Sequence, residues 1–308
     1  MTAGFPSYCF GCQIARNIGQ PVRHENVFVD LCGRYFPWSK FVVIMTIKHL
    51  PAIFLLLTAP YARAQDKTPV VLLDRYFNNE WKPSPGGDSV RYHYTWEDKA
   101  NSGFSFLGDI FRNQGFSLAS LDGAPTTQGL GKASVYIIVD PDLEKESPHP
   151  HYIGMQDVQV IRDWVSAGGV LVLMGNDKGN AEFGHFNTLA EAFGIHFNED
   201  CVNHVIGEER QPGTIQVPAG DPVFGAALTL YMKDVASLRL SGPAKPAIVN
   251  NGSVIAATAR VGKGTVFAVG DPWIYNEYID NHILPASFQN LEGAKAWVRW
   301  LKGQVMIR

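Results

Sequence analysis

Cysteine is scarce and unevenly placed in this chain of 308 residues: Cys9, Cys12 and Cys32 lie near the start, and Cys201 stands alone in the remainder. A disulfide within the body of the protein is thereby excluded, and a chain of this length has core enough to do without one. Charge of either sign is equally unconcentrated. There is no basic run, and the formal net charge is −3, which argues against a nucleic-acid partner. Nucleophile motifs are missing: there is no G-x-S-x-G or G-x-C-x-G elbow, and Cys201 follows Asn198-Glu199-Asp200 in a loop and not at a strand-to-helix turn. Gly262-Lys263-Gly264 is too short for a phosphate-binding loop and reads as a hairpin turn. No internal repeat or low-complexity segment is evident.

One apolar run is present. Met45-Thr46-Ile47-Lys48-His49 is a short basic start, residues 50–59 are apolar, and Ala62-Arg63-Ala64 is an Ala-x-Ala cleavage site. This is the anatomy of a secretory signal peptide, with cleavage after Ala64. The expectation is that translation starts at Met45, that residues 1–44 are a spurious extension, that 45–64 are the signal peptide, and that 65–308 form one periplasmic or secreted domain. The competing reading, a membrane anchor over residues 41–59, is interrupted by Lys48, His49 and Pro51, short of the roughly 20 apolar residues of a span. No stable span is expected after processing. Cys9-Phe10-Gly11-Cys12 has metal-site spacing, but Cys32 and His24 are its only companions and their spacing fits no standard finger.

From residue 70 the pattern alternates. Wholly apolar runs at 70–73, 135–139 and 170–174, with a further strand at 117–121, fit strands buried on both faces. Residues 102–114, 155–167 and 186–193 have helical periodicity, with Gly115 and Gly168-Gly169 placed as stops. This order predicts an α/β fold, a doubly wound, mostly parallel sheet. After Gly194, residues 214–217, 237–240, 254–259 and 265–269 read as antiparallel strands that extend the sheet or form a small lobe, and 291–301 as a closing helix.

Ligands of such sheets bind beyond the carboxyl ends of the strands, where strand order reverses. Polar and aromatic residues concentrate there: Asp74, Tyr76, Asn78, Asn79 and Glu80 after the first strand, then His93, Trp96 and Glu97. Asp140 follows the third strand, Asn176 and Asn180 the fourth, and Asp271, Trp273, Tyr275, Asn276 and Glu277 the 265–269 strand. Turn preference alone explains any one Asp or Asn here, yet Trp, Tyr, His and Glu are not turn formers. Amides and carboxylates beside aromatic faces suit a sugar, with Tyr76, Trp96, Trp273 and Tyr275 as platforms. Asp177, Glu182 and His185 are the catalytic candidates, as a general acid and base pair or, with Asp74, Asp140 or Asp271, as an O/N site for a divalent cation. No other cofactor is expected. His149-Pro150-His151 supplies too few ligands for a metal.

Four segments together carry a family resemblance: Leu72-Leu73-Asp74-Arg75-Tyr76-Phe77-Asn78-Asn79-Glu80, Ile138-Val139-Asp140-Pro141-Asp142, residues 164–177, and Gly270-Asp271-Pro272-Trp273-Ile274-Tyr275-Asn276-Glu277-Tyr278. They resemble the domain found behind the catalytic barrel of secreted unsaturated rhamnogalacturonyl hydrolases. The resemblance implies a flavodoxin-like fold similar to class I glutamine amidotransferases and trehalose-utilisation (ThuA-like) proteins, and a setting of pectin or uronic-acid glycans. The amidotransferase nucleophile has no counterpart here, and neither does the barrel that cleaves unsaturated uronyl residues. Three functional readings stand: a carbohydrate-recognition or accessory domain for a glycan-degrading system, a hydrolase or metal-assisted lyase or isomerase on uronic-acid oligosaccharides, and a module that docks a glycan-degrading enzyme.

Overall fold

In the computed structural model of the protein the described residues are 68–279 and 282–306; the expectations for 1–44 and the signal peptide fall outside them. The chain runs through β1 (Val70–Asp74), the hairpin β2 (Trp81–Pro83) and β3 (Ser89–Arg91), α1 (Ser105–Asn113), β4 (Ser117–Leu121), α2 (Thr127–Leu130), β5 (Val135–Val139), α3 (Met155–Ser166), β6 (Val170–Met174), α4 (Phe183–Glu191) and β7 (Ile195–Phe197). It continues with β8 (Thr214–Val217), β9 (Leu228–Tyr231), β10 (Leu238–Leu240), β11 (Ala244–Asn250), β12 (Ser253–Val261), β13 (Gly264–Val269), α5 (Asn276–Ile279) and α6 (Asn290–Met306).

Seven strands form one mixed, mostly parallel sheet in the order β11-β12-β13-β6-β5-β1-β4. From β13 to β4 every pairing is parallel, while β12 and β11 run antiparallel. The apolar runs are strands because each buries both of its faces. Val71, Leu73, Ile137, Val172 and Phe267 pack toward α1 and α6, whereas Leu72, Tyr136, Ile138, Leu171 and Val266 pack toward α2, α3 and α4. Alternate residues serve the two layers, as strand geometry requires. Trp297 on α6 is fully buried, with ring centroids 6.1 Å from Phe111 and 5.6 Å from Phe267.

Two expectations are corrected. Residues 265–269 are not antiparallel to the main sheet: β13 lies parallel beside β6, and its complete burial is the mark of an interior strand. Helix α4 begins at Phe183, three residues before the expected start, because the Glu182 carboxylate accepts the His185 backbone N–H and caps it. The alternative of extension or lobe resolves as both. β11 and β12 extend the sheet; β8 pairs with β9, and β10 with β7, apart from it. The free edge strand β11 is kinked, with register shifts between Pro246 and Val249. Among the described residues no helix is long and apolar enough to cross a membrane.

Gly270, at the carboxyl end of β13, shows how tightly the site end of the sheet is packed. A Cβ there would run into the carbonyl oxygen of Ala236, whose own N–H donates to Gly270 O at 3.1 Å. Gly270→Ala is expected to cost more than about 2 kcal/mol through forced backbone displacement. Urea denaturation with an unchanged slope and a lowered midpoint is the expected signature; an unchanged midpoint would show that the two segments separate freely.

Candidate functional site

Strand order reverses between β1 and β5, since β1 is followed by β4 on one side and then by β5 on the other. Asp74 ends β1 there. One carboxylate oxygen accepts the backbone N–H of Tyr76 (3.0 Å) and of Phe77 (2.7 Å), which turns the chain, and the other accepts the Tyr136 hydroxyl from β5 at 2.6 Å. The returning segment is sewn to the end of β5. Asn78 Nδ2 donates to Asp140 O (2.8 Å), Asn79 N–H to Asp142 Oδ2 (2.9 Å), and Asp142 N–H to Phe77 O (2.9 Å). Asp140 itself has φ +45° and accepts from Asn176 Nδ2 at 3.0 Å. Glu80 is buried and holds His93 Nδ1 at 2.7 Å.

This crevice is crowded with carboxyl groups, and burial sets their protonation. Burial pushes Asp74 up to about 6 against the hydrogen bonds from Tyr136, Phe77 and Tyr76. It pushes Asp142 up to about 7, opposed by the Asn79 N–H and reinforced by the Glu80 and Glu146 charges. Asp140 and Asp271 are raised well above the usual carboxylate range, again chiefly by burial. Asp140 Oδ1, Asp142 Oδ1 and Asp271 Oδ2 are buried oxygens without a hydrogen-bond partner of good geometry, an arrangement that favours the neutral acid.

The sequence-predicted platforms divide sharply. Trp96 and Trp273 are core residues, 6 % and 0 % exposed, and Trp96 spends its indole N–H on Ala119 O; neither offers a face to a ligand. Tyr76 is half-buried and stacks on His151 at 3.9 Å, and Tyr275 packs against Tyr278 at 4.8 Å. Asn276 is a latch for the start of α1: its Oδ1 accepts Phe106 N–H, and its Nδ2 donates to Asp98 O, Ala100 O and Ser105 Oγ. Glu97 is exposed and pairs with Arg75, while the Glu277 N–H is held by Asn101 O.

The three catalytic candidates are not brought together. Glu182 and His185 meet at 3.1 Å as a helix cap and its neighbour. Asp177 instead accepts from Asn180 Nδ2 (2.6 Å) and faces Cys201. Among the described residues these three do not form a group that could hold one cation. Asn180 is exposed and links Asp177 to Lys145.

Two features escaped the sequence reading. The first is an open groove of ≈ 510 Å³ lined by Leu143, Glu144, Lys145, Tyr152, Glu182 and His185, in which Tyr152, 41 % exposed, stacks on His185 at 4.6 Å. The second is a cluster of Cys201, His204 and Asp234. The Cys-x-x-His spacing was its only signal in sequence; Asp234 comes from a distant loop. Burial pushes the Cys201 thiol up to about 12, with Asp177 and Asp234 adding to it, the opposite of an activated nucleophile.

No family model and no curated protein matches the chain. Among solved structures, the mmIFT52 N-terminal domain superposes with a TM-score of 0.57 at 19% identity, covering 76% of this chain and 97% of that one. Cytoplasmic protein STM3548 from Salmonella typhimurium gives a TM-score of 0.46 at 15% identity, over 76% of this chain and 98% of that one. The beta-galactosidase from Rahnella sp. R3 gives 0.45 at 13% identity, over 79% of this chain and 32% of that one. The first likeness is one of fold alone, and the other two are too distant to bear on activity.

Two outcomes test this description. Asn276→Ala is expected to destabilise the protein by roughly 2–4 kcal/mol, since it strands several buried partners; a chemical denaturation curve superimposable on the parent would refute the latch. The raised carboxyls set a pH trend. Asp74 and Asp142 bind their protons more tightly when folded than in the unfolded chain, where they titrate near about 4. Their contribution to stability is thus greatest below that pH and falls as pH rises through about 6 and about 7. Thermal melts of Asp142→Asn should decline less than wild type between pH 4 and 7, and parallel profiles would count against the shift.

Proposed function

We propose that the described domain is a carbohydrate-recognition module, an accessory to the breakdown of uronic-acid glycans of the pectin (rhamnogalacturonan) type outside the cytoplasm. In this reading its sheet is doubly wound, of the flavodoxin and class I glutamine-amidotransferase or ThuA-like kind; helices on both faces and the reversal between β1 and β5 support that assignment. The observation that carries the function is the open groove beside Tyr152. Its volume falls in the range of small-ligand sites. The Tyr152 ring covers an apolar pyranose face, Glu144 and Glu182 accept hydroxyl hydrogens, and the Lys145 ammonium, half exposed, pairs with a uronate carboxylate. The buried crevice next to it, from Asp74 to Asp142, is the frame on which the Leu143-Glu144-Lys145 wall is built.

One observation favours a second reading, an enzyme on the same oligosaccharides. Glu182 and His185 meet at 3.1 Å on the wall of the groove, a carboxylate and an imidazole side by side where a ligand would lie. The two readings separate in one experiment: pectin-derived oligogalacturonides are titrated calorimetrically and the mixtures are then searched for new products. Recognition alone gives binding without products, with Tyr152→Ala and Lys145→Ala each weakening it by about tenfold or more, equivalent to about 1.4 kcal/mol. Products that vanish in His185→Ala while binding persists establish the enzyme. Affinity unchanged in both Tyr152→Ala and Lys145→Ala would remove the groove from consideration.

A further inference from the structure

Beyond the sugar groove, and independently of it, the loops after β7 and β9 gather a second set of donors. Cys201 Sγ lies 3.7 Å from His204 Nδ1 and 3.7 Å from Asp234 Oδ1, and those two atoms are 2.8 Å apart. We propose that Cys201, His204 and Asp234 are the protein ligands of a zinc ion, with the fourth position facing Asp177.

The distances are those of such a site. A tetrahedral zinc with Zn–S of about 2.3 Å and Zn–N or Zn–O of about 2.0–2.1 Å places sulfur about 3.6 Å from its neighbouring ligands and nitrogen about 3.3 Å from oxygen. Two edges of the triangle already have that length. The third is short because a hydrogen bond spans it, and replacing that proton by the metal opens it by about half an ångström, within reach of side-chain adjustment. Thiolate with imidazole selects zinc over the hard cations that prefer all-oxygen shells.

The backbone holds the donors in place. An isolated bridge joins Val202 to Val235, with N–H···O distances of 2.8 and 2.9 Å in the two directions, so that the Cys201 and Asp234 loops are tied side by side. Asn203 and Asp234 both adopt left-handed conformations, φ +55° and +50°, and Asn203 Nδ2 donates to Met232 O. The Cys201 loop is bound in turn to the end of β6 through Lys178 N–H to Asp200 O at 3.0 Å, which brings Asp177 alongside. Cys201 and Asp234 are half-buried and His204 is mostly exposed, leaving the site open to a metal from solvent.

A nucleophilic triad made of the same residues does not fit. A relay needs the thiol at one ring nitrogen and the carboxylate at the other, whereas His204 meets both through Nδ1. Among the described residues Cys201 has no second cysteine with which to form a redox pair.

The test uses the full chain, and a parent with Cys9, Cys12 and Cys32 replaced by Ser separates this site from the N-terminal thiols. Titration with zinc, and with cobalt(II) as a coloured substitute, is expected to give one ion per chain with micromolar or tighter affinity and a thiolate-to-cobalt absorption band in both proteins. Cys201→Ser should abolish the band, and His204→Ala should weaken zinc binding by at least about 100-fold, more than loss of an outer-shell partner costs. Glu191→Gln, which touches another histidine pair, should leave binding unchanged. If Cys201→Ser folds poorly by circular dichroism, Asp234→Asn and the exposed His204→Gln serve in its place. Wild-type affinity in these variants, loss of binding in the Ser parent, or no binding at millimolar free zinc would each overturn the proposal.

Discussion

A buried carboxylate bonded across two adjacent strands governs the working end of this molecule. Asp74 closes β1 by accepting two backbone N–H groups of its own turn and the hydroxyl of Tyr136 on β5. Removing a carboxyl group from water is costly unless its oxygens are satisfied, and here three donors satisfy them. Without that anchor the chain would not reverse at Phe77, Asn78 and Asn79 would not reach the ends of β5, and the segment carrying Asp142 and the groove wall would lose its backing. Burial raises the protonation equilibrium of Asp74 in spite of those three donors.

The crevice and the groove therefore do different physical work. In the crevice, carboxyls are shielded from solvent and some oxygens find no donor, so that burial raises Asp140 while amide hydrogen bonds hold the turn. In the groove, Lys145 and Tyr152 remain exposed, and Glu182 and His185 are fixed by the cap of α4. Rigid support beneath adaptable surface groups is the usual division in a site that must recognise a flexible polar ligand. The Cys201 cluster lies beyond both, at the ends of β6 and β13, where Asp271, Asp177 and Asp234 make the surroundings acidic.

Much of the fold was legible because its signals are local. The runs at Val70, Val135 and Val170 are apolar at every position, and only strands buried on both faces fit that pattern in so few residues. Pairing partners are not local, which is why β13 was expected among antiparallel strands even though its complete burial was written in Val266-Phe267-Ala268-Val269. At the site, residue type was a good guide to position along the sheet edge and a poor one to exposure. Trp96 and Trp273 look like ligand platforms in sequence, yet the core claims them, since a large apolar ring is stabilised more by burial than by a partial contact. Glu182 and His185 were legible as neighbours in the loop after β6 but not as the cap and first turn of α4, whereas Asp177 was drawn to Cys201 by the fold of two loops that sequence spacing does not relate.

The kinked strand β11 matters for the company this domain keeps. A straight, regularly spaced free edge invites a strand from another chain to join it. Pro246 has no N–H to donate, and the register shifts between Pro246 and Val249 interrupt the regular spacing of the strand. For copies of the domain crowded together, the described edge thus presents an interrupted template, and the shape of the backbone itself disfavours strand-to-strand stacking along it.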